Sequence, residues 1–199
     1  SKVEHVLVSR ALLAGRGVDY VETGRGGDVT LHAPGQLVCY PILDLAPDRR
    51  DVRRYVRDLQ ECMRRLAADF GIASGPVPGL IGMWVDRAEP SRWEGGRESA
   101  RELAKIGAIG VRISRWVTMH GYAFNLSTDL SLFGLIVPCG ISTHGVTSVA
   151  ELTGAAPSVQ SVVPRALGLL SDVFGAEITG LEDRSRDVLA PAATSPKRN

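Results

Sequence analysis

The sequence is short of the features that assign a class at sight. It holds 3 cysteines, Cys39, Cys62 and Cys139, with no Cys-x-x-Cys pair. That excludes a disulfide framework and a cysteine-rich zinc site, and it fits a reducing, cytoplasmic setting. Neither sign of charge is in excess: 23 Lys and Arg stand against 22 Asp and Glu, a net charge of +1. Electrostatics therefore make no case for a nucleic-acid or other polyanionic partner. Arginines do cluster at 49–65, but acidic residues are interleaved with them. No apolar run approaches the ~20 residues that span a bilayer, and "SKVEHVLVSR" has no secretory apolar stretch. The glycine-rich segments lack a GK[ST] element, so no triphosphate loop is indicated.

What remains is a chain of 199 residues with 44% apolar content, enough for one large domain or two small ones. No linker breaks residues 1–182. From residue 183, "DRSRDVLAPAATSPKRN" is polar and Pro/Ala-rich, and reads as a flexible tail.

Alternation predicts strands at 18–23 and at 29–33, separated by an "RGGD" turn. "LVCYPILDL" (37–45) is nearly continuously apolar, as in a strand covered on both faces. From Val52 to Phe70 the apolar spacing is helical, with Asp48 or Asp51 as cap and Gly71 as stop. Cys62 lies beside that stripe and reads as a core residue. Residues 74–79 form a loop, 80–85 a strand, and 87–99 a surface hairpin or mobile loop. Residues 103–114 and 116–127 form a hairpin around Arg115 and Trp116. A helical turn and an extended exit follow at 129–138. Residues 158–175 form a helix capped by Ser158 and stopped by Gly175, with a kink or a later start at Pro164. Strands outnumber helices without βαβ alternation, so the class is α+β: a mixed sheet with packed helices.

Four features could carry chemistry. Cys139, between Pro138 and Gly140, is either an inert buried thiol or a nucleophile on a turn. Pattern alone favours the inert reading, since a reactive thiolate needs a nearby cation and access. Gly140 would let a substrate approach backbone N–H groups. Lys105, in the apolar "LAKIGAIG", faces either solvent, the commoner case, or a pocket in which it acts as a base. Gly26 and Gly27 would let a ligand lie against main chain, with Thr30 and His32 on one strand face beyond them. His32, His120 and His144 lack zinc-ligand spacing, so no metal is expected, and His120 reads as a hydrogen-bonded pocket residue.

Together these pieces resemble the octanoyl (lipoyl) transferase family. "RGGDVTLHAPGQLVCYPILDL" resembles its substrate-binding signature, and "KIGAIGVRISRWVTMHGYAFNLSTDLSLFGLIVPCG" its catalytic stretch; "GVTSV" follows at 145–149. The resemblance implies the α+β fold of the biotin/lipoate ligase catalytic domain, spread over residues 1–182. It implies that Cys139 accepts the acyl group and that Lys105 is its partner. Arg25, Gly26, Gly27, Asp28, Val29, Thr30, Leu31 and His32 match an acyl-pocket segment. Ala108, Ile109 and Gly110 match a second stretch, and Gly121, Tyr122 and Ala123 a third. The implied reaction moves octanoate from the phosphopantetheine arm of acyl carrier protein to a lysine of lipoyl domains, those of 2-oxoacid dehydrogenase complexes and of the glycine cleavage H protein. No cofactor, nucleic acid or membrane is involved. Two departures stand out: Ala33 replaces the family's usual Gly, and the family's segment before "VEHVLVS" is absent. The alternatives are an ATP-dependent lipoate or biotin ligase, and an inactive module that binds lipoyl domains or carrier protein.

Overall fold

The computed structural model describes residues 6–24, 29–93, 95–136 and 144–182. Its centre is a six-stranded mixed sheet. The strands are β1 (Gln36–Cys39), β2 (Gly75–Val77), β3 (Leu80–Asp86), β4 (Leu103–Ser114), β5 (Val117–Asn125) and β6 (Gly145–Val146). Their order is β1-β5-β4-β3-β2, all antiparallel neighbours, and β6 adds a short parallel pairing to the start of β4. The helices are α1 (Arg10–Gly15), α2 (Val52–Ala68), α3 (Val149–Thr153) and α4 (Val159–Phe174), with a 3₁₀ turn at Leu130–Leu135.

Helices α2 and α4 cover one face of the sheet. The helical spacing of α2 puts Tyr55, Leu59, Cys62, Met63, Leu66 and Ala67 inward, where they meet Leu37, Met83, Val85, Ile106, Tyr122 and Phe124 from the strands. Each such side chain contributes roughly 1.5–3 kcal/mol on burial. Asp51 caps α2 by accepting from the Arg54 N–H, and Ser158 and Gly175 bound α4. Helix α4 starts at Val159 and runs through Pro164, so the later start expected at the proline does not occur. An Arg165–Asp69 pair, at 2.7 and 3.0 Å, ties α4 to the end of α2.

The opposite face is covered differently. Residues 18–23 and 29–33 were expected to be strands, but neither pairs with the sheet. They lie over it instead: Val18, Tyr20, Val29 and Ala33 pack with Leu13, Leu31, Leu135 and Ile136 in a second apolar cluster. Alternation was present there because Val18, Tyr20, Val29 and Leu31 turn toward this cluster, half-buried or buried, not because a ladder forms. The 37–45 run also differs from expectation. Leu37 and Leu45 are buried, whereas Val38, Tyr40 and Ile42 are 40%, 45% and 74% exposed. β1 is the edge strand of the sheet, and beyond Gln36 its outer face is open at Val38. The expected 74–79 loop contains β2, joined to β3 by a Pro78-Gly79 turn in which Gly79 has φ +80°, the left-handed position a proline-led turn requires.

The β4–β5 hairpin turns at Arg115 and Trp116, both with positive φ (49° and 67°). A two-residue turn of this hand matches the twist of the strands and usually takes Asn-Gly. Trp116 occupies it because its ring packs against the helix-side core.

Candidate active site

A register shift in β4 organises the site. Trp84 pairs with Lys105 and Met83 with Gly107, so Ile106 is an extra residue opposite β3. Such a bulge reverses the alternation beyond it. Lys105 consequently shares the outer face with Ala108, three residues on, whereas Ile106 and Ile109 both enter the helix-side core.

Lys105 is 5% exposed. Its Nζ lies 4.8 Å from the centre of the Trp84 ring, within the range in which an aromatic face attracts a cation. Its stem passes over Gly82, where an added Cβ would stand 3.2 Å from Cε and 3.3 Å from Cδ. The small cavity it lines also touches Thr30, Leu31, Gln36, Ala108 and Asn125. Thr30 and Leu31 in turn line a larger cleft of about 740 Å³. The cleft walls are largely apolar, with Leu13, Val18, Val29, Leu132 and Leu135 among them. His32, Tyr40 and His120 form its polar rim. Tyr40 meets His120 edge-on, with ring centres 5.4 Å apart, and His120 reaches the rim from a backbone at φ +62°.

The expected site residues fall into three groups. Lys105, Val29, Thr30, Leu31, His32, Ala108, Gly110, His120, Gly121 and Ala123 converge on the outer face of the sheet, lining the cleft or the cavities that share its walls. Ile109 and Tyr122 contribute main chain there, but their side chains belong to the helix-side core. Cys139 and Gly140, with Arg25, Gly26, Gly27 and Asp28, lie outside the described residues. Gly121 has a structural reason beyond the pocket: a Cβ there would collide with the Cys39 carbonyl oxygen and with Pro41, at and just beyond the end of β1.

The other two thiols are poor nucleophiles. Burial pushes Cys39 up to about 11, against a hydrogen bond with Tyr122 that lowers it. Burial likewise pushes Cys62 up to about 12, and its Sγ–H points at the Leu169 carbonyl 3.8 Å away. Burial raises the Tyr122 phenol as well. Among the described residues, no three His, Cys, Asp or Glu side chains gather as metal ligands, and no helix is long and apolar enough to cross a membrane.

Several residues of the site carried no separate signal in the sequence. Tyr40, Gln36, Asn125, Trp84 and Thr147 became visible only through pairing: Gln36 sits opposite Asn125, and Trp84 opposite Lys105. The alternation of β1 and β5 could have put Gln36 and Asn125 on one face, had their register been known.

A mixed sheet with helices on one face, and on the other an apolar cleft beside a small cavity lined by a buried lysine, defines the class as an α+β domain of the lipoate-ligase type. The fold aligns with an archaeal bipartite lipoate protein ligase from Thermoplasma acidophilum at a TM-score of 0.64, with 13% identity, over 91% of this chain and 68% of that one. It aligns with an ATP-bound lipoate-protein ligase A at a TM-score of 0.57, with 14% identity, over 84% and 64%. The lipoyl protein ligase A/B catalytic domain model matches residues 1–170, and the chain belongs to that family. An octanoyltransferase of Chloroflexus aurantiacus is 47% identical over 178 residues, covering 89% of this chain and 74% of the relative. One of Myxococcus xanthus is 46% identical over 177 residues, again 89% of this chain, but only 47% of that relative's length.

Proposed function

We propose that the chain is an octanoyltransferase working through a Cys139 thioester. What carries this reading is the kinship with octanoyltransferases at 46–47% identity over 89% of the chain. A buried lysine beside an apolar cleft supports it. In the first half-reaction the Cys139 thiolate attacks the thioester carbonyl of octanoyl carrier protein. A new C–S bond forms, the bond to the phosphopantetheine sulfur breaks, and that sulfur leaves as a thiolate and takes a proton. In the second half, a lysine amine of a lipoyl domain attacks the acyl-enzyme. The amide forms, Cys139 leaves as thiolate, and Lys105 relays the amine's proton. The first exchange is between thioesters and the second runs downhill to an amide, so no ATP is needed.

The acyl chain occupies the cleft, held by Val29, Leu31 and their apolar neighbours. Each buried CH₂ contributes roughly 0.8 kcal/mol, so length is selected gradually. In this reading residues 1–182 form one catalytic domain and 183–199 a tail. The acceptors are the lipoyl domains of 2-oxoacid dehydrogenase complexes and the glycine cleavage H protein, met in the cytoplasm.

Intact-mass measurement after incubation with octanoyl carrier protein tests this. One octanoyl group is expected on the wild type and none on Cys139→Ala. Full turnover by Cys139→Ala rejects the covalent route, and an adenylate formed from ATP and free lipoate selects a ligase instead. Lys105→Ala removes the ammonium that favours thiolate. Its acylation profile therefore moves to higher pH, and an unmoved profile takes Lys105 out of the mechanism.

A further inference from the structure

A chain of side-chain hydrogen bonds crosses the sheet from β6 to the cleft rim, and its polarity is dictated from one end. The Thr147 carbonyl can only accept, so Asn125 presents its NH₂ there, at 2.9 Å. The Asn125 Oδ1 then faces β1 and accepts from Gln36 Nε2 at 2.8 Å, and from Thr128 Oγ1 at 3.4 Å. Gln36 is thereby left with Oε1 toward His32 Nδ1, at 2.7 Å. Two acceptors cannot share that contact, so Nδ1 carries the ring proton. The bare Nε2 of the neutral ring accepts from the Tyr40 hydroxyl at 2.9 Å. Flipping Asn125 would set its oxygen against the Thr147 carbonyl and its NH₂ against that of Gln36, and flipping Gln36 would set its oxygen against Asn125 Oδ1; each orphaned group would carry its full desolvation cost. Gln36 and Asn125 are 8% and 4% exposed. Thr147 also donates its N–H to the Lys105 carbonyl at 2.9 Å, so the backbone of one residue sets both the lysine strand and the relay.

We propose that Gln36 and Asn125 are positioning residues that hold His32 in its Nδ1–H form and commit the Tyr40 proton to it. The Tyr40 oxygen then offers the cleft lone pairs only. It takes an N–H donor from the substrate: an amide of the carrier's arm or the amine of the acceptor lysine. The identity of that donor rests on the transferase reading; the tautomer does not.

Long-range ¹H–¹⁵N correlation of the full chain, under mildly alkaline conditions with His32→Gln for assignment, reads the tautomer directly. A single Nδ1–H form is expected, and an Nε2–H form in the wild type overturns the proposal. Gln36→Leu removes the acceptor and releases the ring to a mixture. Gln36→Glu keeps an acceptor toward Nδ1 and retains the Nδ1–H form, although its second oxygen opposes Asn125 Oδ1. The wild-type spectrum needs no variant, so it decides the matter even where neither substitution folds. In turnover, Gln36→Leu and Tyr40→Phe each lose about tenfold in kcat/KM, the scale of one hydrogen bond, and the double variant loses no more than either. Multiplying losses overturn the coupling. Single-turnover rates separate the donors: Tyr40→Phe slows acylation if Tyr40 holds the arm, or deacylation if it holds the amine. Unchanged rates in both halves overturn the role in the cleft. A wild type with the expected tautomer and no octanoyl transfer rejects the transferase reading alone.

Discussion

Four methylenes of Lys105 must be held for its amine to point one way, and two neighbours on β3 do this. Trp84 lies under the ammonium, and Gly82 leaves room for the stem. Gly82 has φ +132°, and a Cβ there would also stand 2.7 Å from the Gly107 carbonyl oxygen. Backbone is the obstacle, so relief requires the strands to part. Gly82→Ala is expected to destabilise the fold by roughly 1–3 kcal/mol and to lower octanoyl transfer beyond the loss of folded protein. Thermal melts alongside kcat on the folded fraction check this. Unchanged kcat per folded molecule would show that the lysine does not depend on Gly82. In the sequence Lys105 read more readily as solvent-facing than as a pocket residue, because one charged residue in an apolar run usually turns outward. The bulge at Ile106 settled its face, and no pattern in β4 alone marks where a neighbouring strand will slip.

At the scale of elements, α2 shows how much a single helix reveals about itself. Its apolar spacing, its Asp51 cap and its stop are local, and they stand within a residue or two of expectation. Its outer face carries a carboxylate with a testable signature. The Arg64 guanidinium holds Glu61 down to about 2 from an ordinary 4.5, burial opposes this, and Arg65 adds to it. Glu61 is depressed on folding, so its contribution is fully present above pH 4.5 and is lost as pH falls toward 2. The pair is largely solvated, so the effect at neutral pH is small. Glu61→Gln is expected to lower the melting temperature slightly at pH 7, and the gap to the wild type should close as the solution is acidified through that window. A gap that persists at pH 2 would assign it to packing rather than charge. Segments 18–23 and 29–33 are the contrasting case. Their alternation is genuine, but whether an extended segment joins a ladder or lies across a sheet depends on partners far along the chain.

For the whole molecule, the helix-covered face is sealed and the other face holds the cleft. Cys62, fully buried, and Cys39, half-buried, belong to the helix side, and burial keeps both as thiols far above neutral pH. At pH 8 a thiol reagent should therefore modify at most one cysteine of the folded protein quickly, Cys139 on the proposed mechanism. All 3 cysteines should react in denaturant. Octanoylation beforehand should remove the fast phase. Fast modification of Cys39 or Cys62 in the native state, located by peptide mass mapping, would contradict the sealed face.

The amino-acid sequence by itself determined the class of fold, the long helices with their caps, and the β4–β5 hairpin. It also marked the segments whose kinship identifies the family. Each of these depends on spacing within a few turns or on residues adjacent in the chain. Tertiary structure alone decided which face Lys105 takes, that residues 18–23 and 29–33 roof the cleft, and that Gln36, Asn125 and Thr147 carry one hydrogen-bond polarity to His32. Those outcomes rest on register between strands tens of residues apart. A slip of one position reverses every side chain beyond it, and nothing local to either strand records the slip.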